Sequence, residues 1–138
     1  MRRTFTEAWR KYRQQQPLQQ LERLVAEVVR DHPEYQRLIE DPERALSQDF
    51  LPDAGQTNPF LHMGMHISLQ EQLGADRPSG ITRLYQQLRE KTGDTHATEH
   101  LLMECLGRVL WEAQQNGRMP DEQAYLECAK VLLGAGPR

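Results

Sequence analysis

Apolar residues recur at three- and four-residue intervals through most of this chain. No stretch alternates with the period of two that a strand would show, so the pattern predicts an all-α protein. Phe5, Trp9 and Tyr12 mark a first amphipathic helix over residues 4–16, opened by the capping-box sequence Thr4-Phe-Thr-Glu7 and stopped at Pro17. From Leu18 the run Leu-x-x-Leu-x-x-Leu-Val-x-x-Val-Val predicts a second helix. His32-Pro33 ends it, because the residue before a proline is pushed out of the α region. Proline stands near a first helical turn again at Pro33 and Pro42, which gives two short helices, the later one capped by Asp41. Gln48 to Thr57 holds Pro52, Asp53 and Gly55 without periodicity. It reads as the longest loop, of the kind that covers or borders a site.

Asn58-Pro59 is an N-cap followed by proline at the first helical position, and it launches a helix through Leu73. At 100° per residue His62, Met65, His66, Leu69 and Leu73 fall on one stripe, so the two imidazoles continue an apolar face and are expected to point inward. Gly64 costs that helix about 1 kcal/mol against alanine, which is tolerable where another helix approaches closely. After an Asp76–Gly80 turn, a helix from Ile81 to Lys91 is ended by Gly93, and Asp94-Thr95 caps a long helix running through Gln115 to Gly117. Along it His96, His100, Met103, Gly107 and Leu110 share a stripe, so the second histidine pair is also expected to face inward. Pro120 starts a last helix that Gly134 closes. The expected architecture is a compact bundle of about six to seven helices. It forms a single domain over residues 1–138, made of a basic aromatic helix at 1–16, a loop at 48–57 and a histidine-bearing core at 58–133.

Length and charge narrow the function classes. With 138 residues and 38% hydrophobic content the chain furnishes one modest core, and 17 basic against 20 acidic residues leave a net charge of −3. That balance argues against nucleic acid and against an anionic membrane as partner. No stretch reaches the ~18 apolar residues of a membrane span. No signal peptide is read in Met-Arg-Arg-Thr-Phe-Thr-Glu, so a cytoplasmic protein with reduced Cys105 and Cys128 is expected, a disulfide between them remaining open. Arg2, Arg3, Arg10, Lys11 and Arg13 make the first helix basic. It is either a docking face for an acidic partner, an unidentified protein before nucleic acid, or, on the stronger reading, a solvated face whose aromatics pack on the body. The oligomeric state is not readable.

The chemistry rests on histidine. Spacing of four puts His62 and His66, and likewise His96 and His100, one above the other on a helix, about 5–6 Å apart at Cβ. If the two helices face each other, four imidazoles converge on a divalent transition metal, zinc first and iron next. Glu104, four residues beyond His100, is the best carboxylate candidate, with Glu99 and Glu71 weaker. His32, beside a proline, is expected to be an exposed turn residue, and Cys105 a small core residue. Four nitrogens would make a closed structural site. Three nitrogens and a water would make a metal-assisted hydrolase. His96-Ala-Thr-Glu-His100 matches the inverted zinc-protease pattern, but the body is too small for that family. Fragments of hemerythrin-like spacing allow a di-metal, oxygen-handling centre in the wrong chain order, and haem between opposed histidines needs an apolar slot no sequence displays. The competing reading is a non-enzymatic regulatory module with a buried histidine network and a docking N-terminal helix.

Asn58-Pro-Phe-Leu-His-Met-Gly-Met-His66, His-Ala-Thr-Glu-His-Leu-Leu-Met-Glu-Cys-Leu-Gly at 96–107 and Trp111-Glu-Ala-Gln together resemble a proteobacterial family catalogued as domain of unknown function 1841. The resemblance covers most of the chain after about Phe50. It implies a bacterial cytoplasmic protein and supplies no activity, and the residues that carry it are the same histidine pairs.

Overall fold

Every regular element among residues 2–50 and 58–134, which the computed structural model describes, is a helix: α1 (Arg2–Arg13), α2 (Gln20–Arg30), α3 (Pro33–Glu40), α4 (Pro42–Ser47), α5 (Pro59–Ala75), α6 (Ile81–Thr92), α7 (Thr95–Gln115) and α8 (Glu122–Leu133). The described residues form eight helices in the all-α arrangement expected, with α3 and α4 as the two short helices that start at Pro33 and Pro42, separated where Asp41 takes extended backbone. The loop expected at Gln48–Thr57 lies for the most part outside the described residues. No described helix is long and apolar enough to cross a membrane. The helices group into two compact units, Met1–Ile67 and Ser68–Arg138, and α5 gives its first turns to one and its last turns to the other.

In the first unit α1 lies against α2, α3 and α4. Phe5 and Ala8 of α1, Val25, Ala26 and Val29 of α2, Ile39 of α3 and Met63 of α5 are almost completely buried together. Phe5 meets Phe60 edge to face at 5.4 Å between ring centroids. The Trp9 indole N–H donates to Glu40 Oε2 at 3.0 Å, so two of the three aromatics of α1 are spent on the chain's own core and Tyr12 stacks outside on Trp9. Arg2 is equally committed. Its guanidinium sits over the Phe60 ring at 4.8 Å and donates to the carbonyls of Ala45 and Gln48, satisfying the C-terminal end of α4.

Helix ends follow the local chemistry with two exceptions. Asp41 accepts from the Arg44 backbone N–H, and Asn58 Oδ1 accepts from those of Phe60 and Leu61, both as expected. Thr4 does not cap α1, which already begins at Arg2. The reciprocal contact forms instead at the start of α2, where the Gln19 N–H donates to Glu22 Oε1 at 2.9 Å. That N–H and Lys11 Nζ hold the Glu22 carboxyl below its usual range. The last helix begins at Glu122 behind an Asp121 cap that accepts from Ala124 N–H, so Pro120 precedes the helix.

The second unit packs α6, α7 and α8 on one another. Asp76, at φ 52°, accepts from the N–H groups of Gly80 and Thr82, closing the turn before α6; these bonds pull its carboxyl below the usual carboxylate range. Asp94 caps α7 at His96 N–H, and Gly93 ends α6 at φ 75°. Tyr125 is buried, its phenol donating to Gln72 Oε1 at 2.9 Å, and burial pushes its ionisation far up.

Cys105 and Cys128 are joined, tying α7 to α8 across 23 residues with 5.8 Å between their Cα atoms. The expectation of reduced thiols is thereby corrected. The two residues face each other from packed helices at a Cα separation in the usual disulfide range, a proximity that positions far apart in sequence do not reveal. The bond also weighs against the expected cytoplasmic setting, since structural disulfides persist in oxidising compartments.

Two stability measurements test this account. Replacing both cysteines by serine should lower the unfolding free energy by about 3 kcal/mol, from closure of a loop of this length. Reductant should shift the urea midpoint of the native protein by a matching amount and leave the variant unmoved; equal midpoints would remove the bond from the folded state. Gly64 was expected to admit a close helix, yet a Cβ built there meets nothing within 4 Å. Gly64→Ala should therefore stabilise the protein by about 1 kcal/mol through helix propensity, and a loss of stability would show a neighbour at that position.

Candidate metal centre

His32 organises the first unit's polar cluster. It occupies the N-cap of α3 at φ −124°, ψ 70°, between the last turn of α2 and Pro33, and its side chain folds back along α2. There Nδ1 lies 2.7 Å from the Val28 carbonyl oxygen. A carbonyl only accepts, so Nδ1 carries the proton, and in the neutral ring the lone pair is on Nε2. His32 is 2% exposed, which corrects the expectation of an exposed turn residue. The physical reason is that α2's apolar stripe does not stop at the helix end: Val25, Val28, Val29 and His32 stand at i, i+3, i+4 and i+7, and the residue closing the series is carried inward with it. That periodicity was the available signal.

The rings of His62 and His66 on α5 lie 5.0 Å apart, as their spacing dictates. The His32 ring is 4.8 Å from that of His66 and 5.3 Å from that of His62, so three imidazoles form one cluster. A ring nitrogen of His66 comes within 4.8 Å of one on His32 and of one on His62. Two nitrogens on one tetrahedral ion at ~2.05 Å each are separated by about 3.3 Å, so side-chain rotations of an ångström or so would bring either pair to bonding separation. Tyr35 closes the cluster, stacked on His32 with 8° between ring planes and edge-on to His62. Burial, with Glu34 nearby, raises its phenol's pKa, so it stays a hydroxyl. His66 is buried and His62 half-buried.

In the second unit His96 and His100 pack ring against ring at 4.2 Å. His100 is half-buried and His96 exposed. The buried face of α7 is formed by Thr98, Glu99, Leu102, Met103, Leu106 and Val109, and its centre lies roughly 100° round the helix from the stripe expected through the histidines. That rotation decides the carboxylates. Glu104 is exposed, and so is Glu71, whereas Glu99 is 7% exposed and accepts from Gln70 Nε2 at 3.4 Å. Glu99 is the buried acid that the sequence ranked below Glu104.

Residues 1–131 match the family described as a domain of unknown function, DUF1841. The chain belongs to that family. The match extends well before Phe50, where the sequence resemblance faded, and so takes in His32 as well as both histidine pairs. No curated protein and no solved structure matches the chain.

The tautomer of His32 is directly measurable. Long-range proton–nitrogen correlation spectra of metal-stripped protein should show the neutral His32 ring protonated at Nδ1. A proton at Nε2 would break the contact with Val28 and with it the inference about the lone pair.

Proposed function

We propose that this DUF1841 protein binds a first-row transition-metal ion through its histidines, with zinc the first choice and iron the second. His62 and His66 are the central pair, His32 is a third imidazole, and, in the second unit, His96 and His100 on α7 are the second pair of ligands. The observation that carries the reading is the 2.7 Å contact from His32 Nδ1–H to the Val28 carbonyl. Metal-binding histidines characteristically donate their other ring N–H to a backbone carbonyl or carboxylate, which fixes the tautomer and orients the ligand nitrogen. A buried ring held this way beside two more imidazoles suits borderline ions such as Zn²⁺ and Fe²⁺, and with both cysteines bonded to each other no thiolate competes.

An ion held by four of these imidazoles would be structural. One held by three would keep a position for water and lower that water's pKa toward neutrality, the starting point for hydrolysis. A second ion would need a carboxylate, and Glu99, being buried, serves better than the exposed Glu104. The Cys105–Cys128 bond favours an oxidising compartment over the cytoplasm for this protein.

Elemental analysis of untagged protein, purified without chelator, should give about one equivalent of zinc or iron. His62→Ala/His66→Ala should lose it, and chelation should lower the melting temperature of the native protein but not of the variant. Metal at trace level in the native protein, with reconstitution by zinc and iron also failing, would leave a hydrogen-bonded histidine network in its place.

A further inference from the structure

A groove of about 170 Å³ runs between α1 and the α3–α4 corner, wholly within the first unit and separate from the histidines. Trp9, Ile39, Pro42 and Leu46 make its apolar walls, and Leu46 is 41% exposed there although nothing polar excuses it. Arg3, Arg10 and Arg13 line the same groove along α1.

Their charges are not equally available. Arg10 is held by Glu7 at 2.8 Å and by Gln14 at 3.1 Å, so that carboxylate and that guanidinium cancel. Glu40 is satisfied by the Trp9 indole at 3.0 Å and faces Arg13 at a loose 3.8 Å. The Arg3 guanidinium acts on Glu7 only through longer-range attraction, that carboxylate being already held by Arg10. The groove is therefore apolar in the middle with under-committed cations at its two ends.

We infer that this groove docks an acidic peptide segment of another protein, in which one bulky apolar side chain enters between Trp9 and Leu46 and flanking carboxylates meet Arg3 and Arg13. Three features select this occupant. The volume is below the ~300–1,000 Å³ of sites that enclose a whole small ligand, and suits a single anchoring side chain. Glu7 and Glu40 interrupt the row of arginines, which leaves separate positive ends for isolated carboxylates and no unbroken track for a phosphate backbone. The spacing then sets a register: ten residues of helix separate Arg3 from Arg13 by about 15 Å, the span of four to five residues of extended peptide at ~3.3 Å each. The preferred segment carries two acidic residues four to five positions apart with a large apolar residue between them.

Random dodecapeptides displayed on phage and selected on immobilised full-length protein test the proposal. Selection should enrich that acidic–apolar–acidic spacing. A synthetic peptide of the enriched sequence should lose about tenfold in affinity on Arg3→Ala or Arg13→Ala, and more in high salt. Leu46→Glu should abolish its binding. All three positions are exposed, so circular dichroism should report unchanged folding, and metal content should be unchanged too, which keeps this test separate from that of the histidine site. No enrichment, enrichment of unrelated sequences, affinity indifferent to both arginines, or tighter binding of a single-stranded oligonucleotide of similar length with the same arginine dependence would each overturn the inference.

Discussion

Proline at position 33 is the constraint on which the first unit's chemistry depends. It forbids α2 to continue, holds His32 in non-helical backbone, and starts α3 at once with its own fixed φ. A histidine inside a continuing α2 would face a ladder already complete. At a terminated end, the Val28 carbonyl has lost its helical partner, because the residue four positions on is turning away. The His32 ring N–H fills that vacancy. One contact thus closes a helix end, buries a polar ring and decides which of its nitrogens bears the lone pair.

The same economy recurs in the scaffold that holds the cluster. Arg2 closes the carbonyl end of α4 while its guanidinium covers Phe60, and Phe60 in turn packs on Phe5. Since Phe60 stands just before His62 on α5, the apolar contact that seats α5 in the first unit also sets the height of the histidine pair. Truncating such a buried aromatic ring typically costs about 3–5 kcal/mol, so the geometry of the histidine cluster and folding stability rest on shared contacts. A polar cluster assembled on a rigid apolar base would lose little further entropy on taking up the proposed ion.

Much of this was legible in the residues. Asn58-Pro59, Asp41-Pro42 and Asp94-Thr95 announce helix starts because each pairs a side-chain acceptor with backbone that must turn, a local matter. The spacing of His62 with His66 and of His96 with His100 follows from helical geometry alone, and so does their ring contact. What failed were judgements that need tertiary facts. Its neighbour Pro33 points to an exposed turn for His32, but the four-residue step back to Val28 is the interval that decides its burial. A stripe through the histidines favours Glu104 over Glu99, but the buried face of α7 lies roughly 100° away, a rotation that leaves Glu104 on the far side of the helix and brings Glu99 inside. The Cys105–Cys128 bond depends on how α7 and α8 pair, which spacing does not encode.

That helix pairing bears on how α7 presents its histidines. His96 and His100 occupy the first turns of a 21-residue helix whose first N–H groups are held by Asp94. Cys105 lies little more than one turn beyond His100, and its bond to Cys128 fixes α7 against α8 at that level. A long helix capped at its start and cross-linked near its middle has little freedom to rotate about its axis, so the histidine pair is held in azimuth even though His96 itself is exposed. The buried Tyr125 hydroxyl, which donates to Gln72 from α8, adds a second tie within the unit. An exposed pair of imidazoles on an unrestrained helix end would fray with it; here the cross-link supplies the rigidity that burial supplies to His32 and His66.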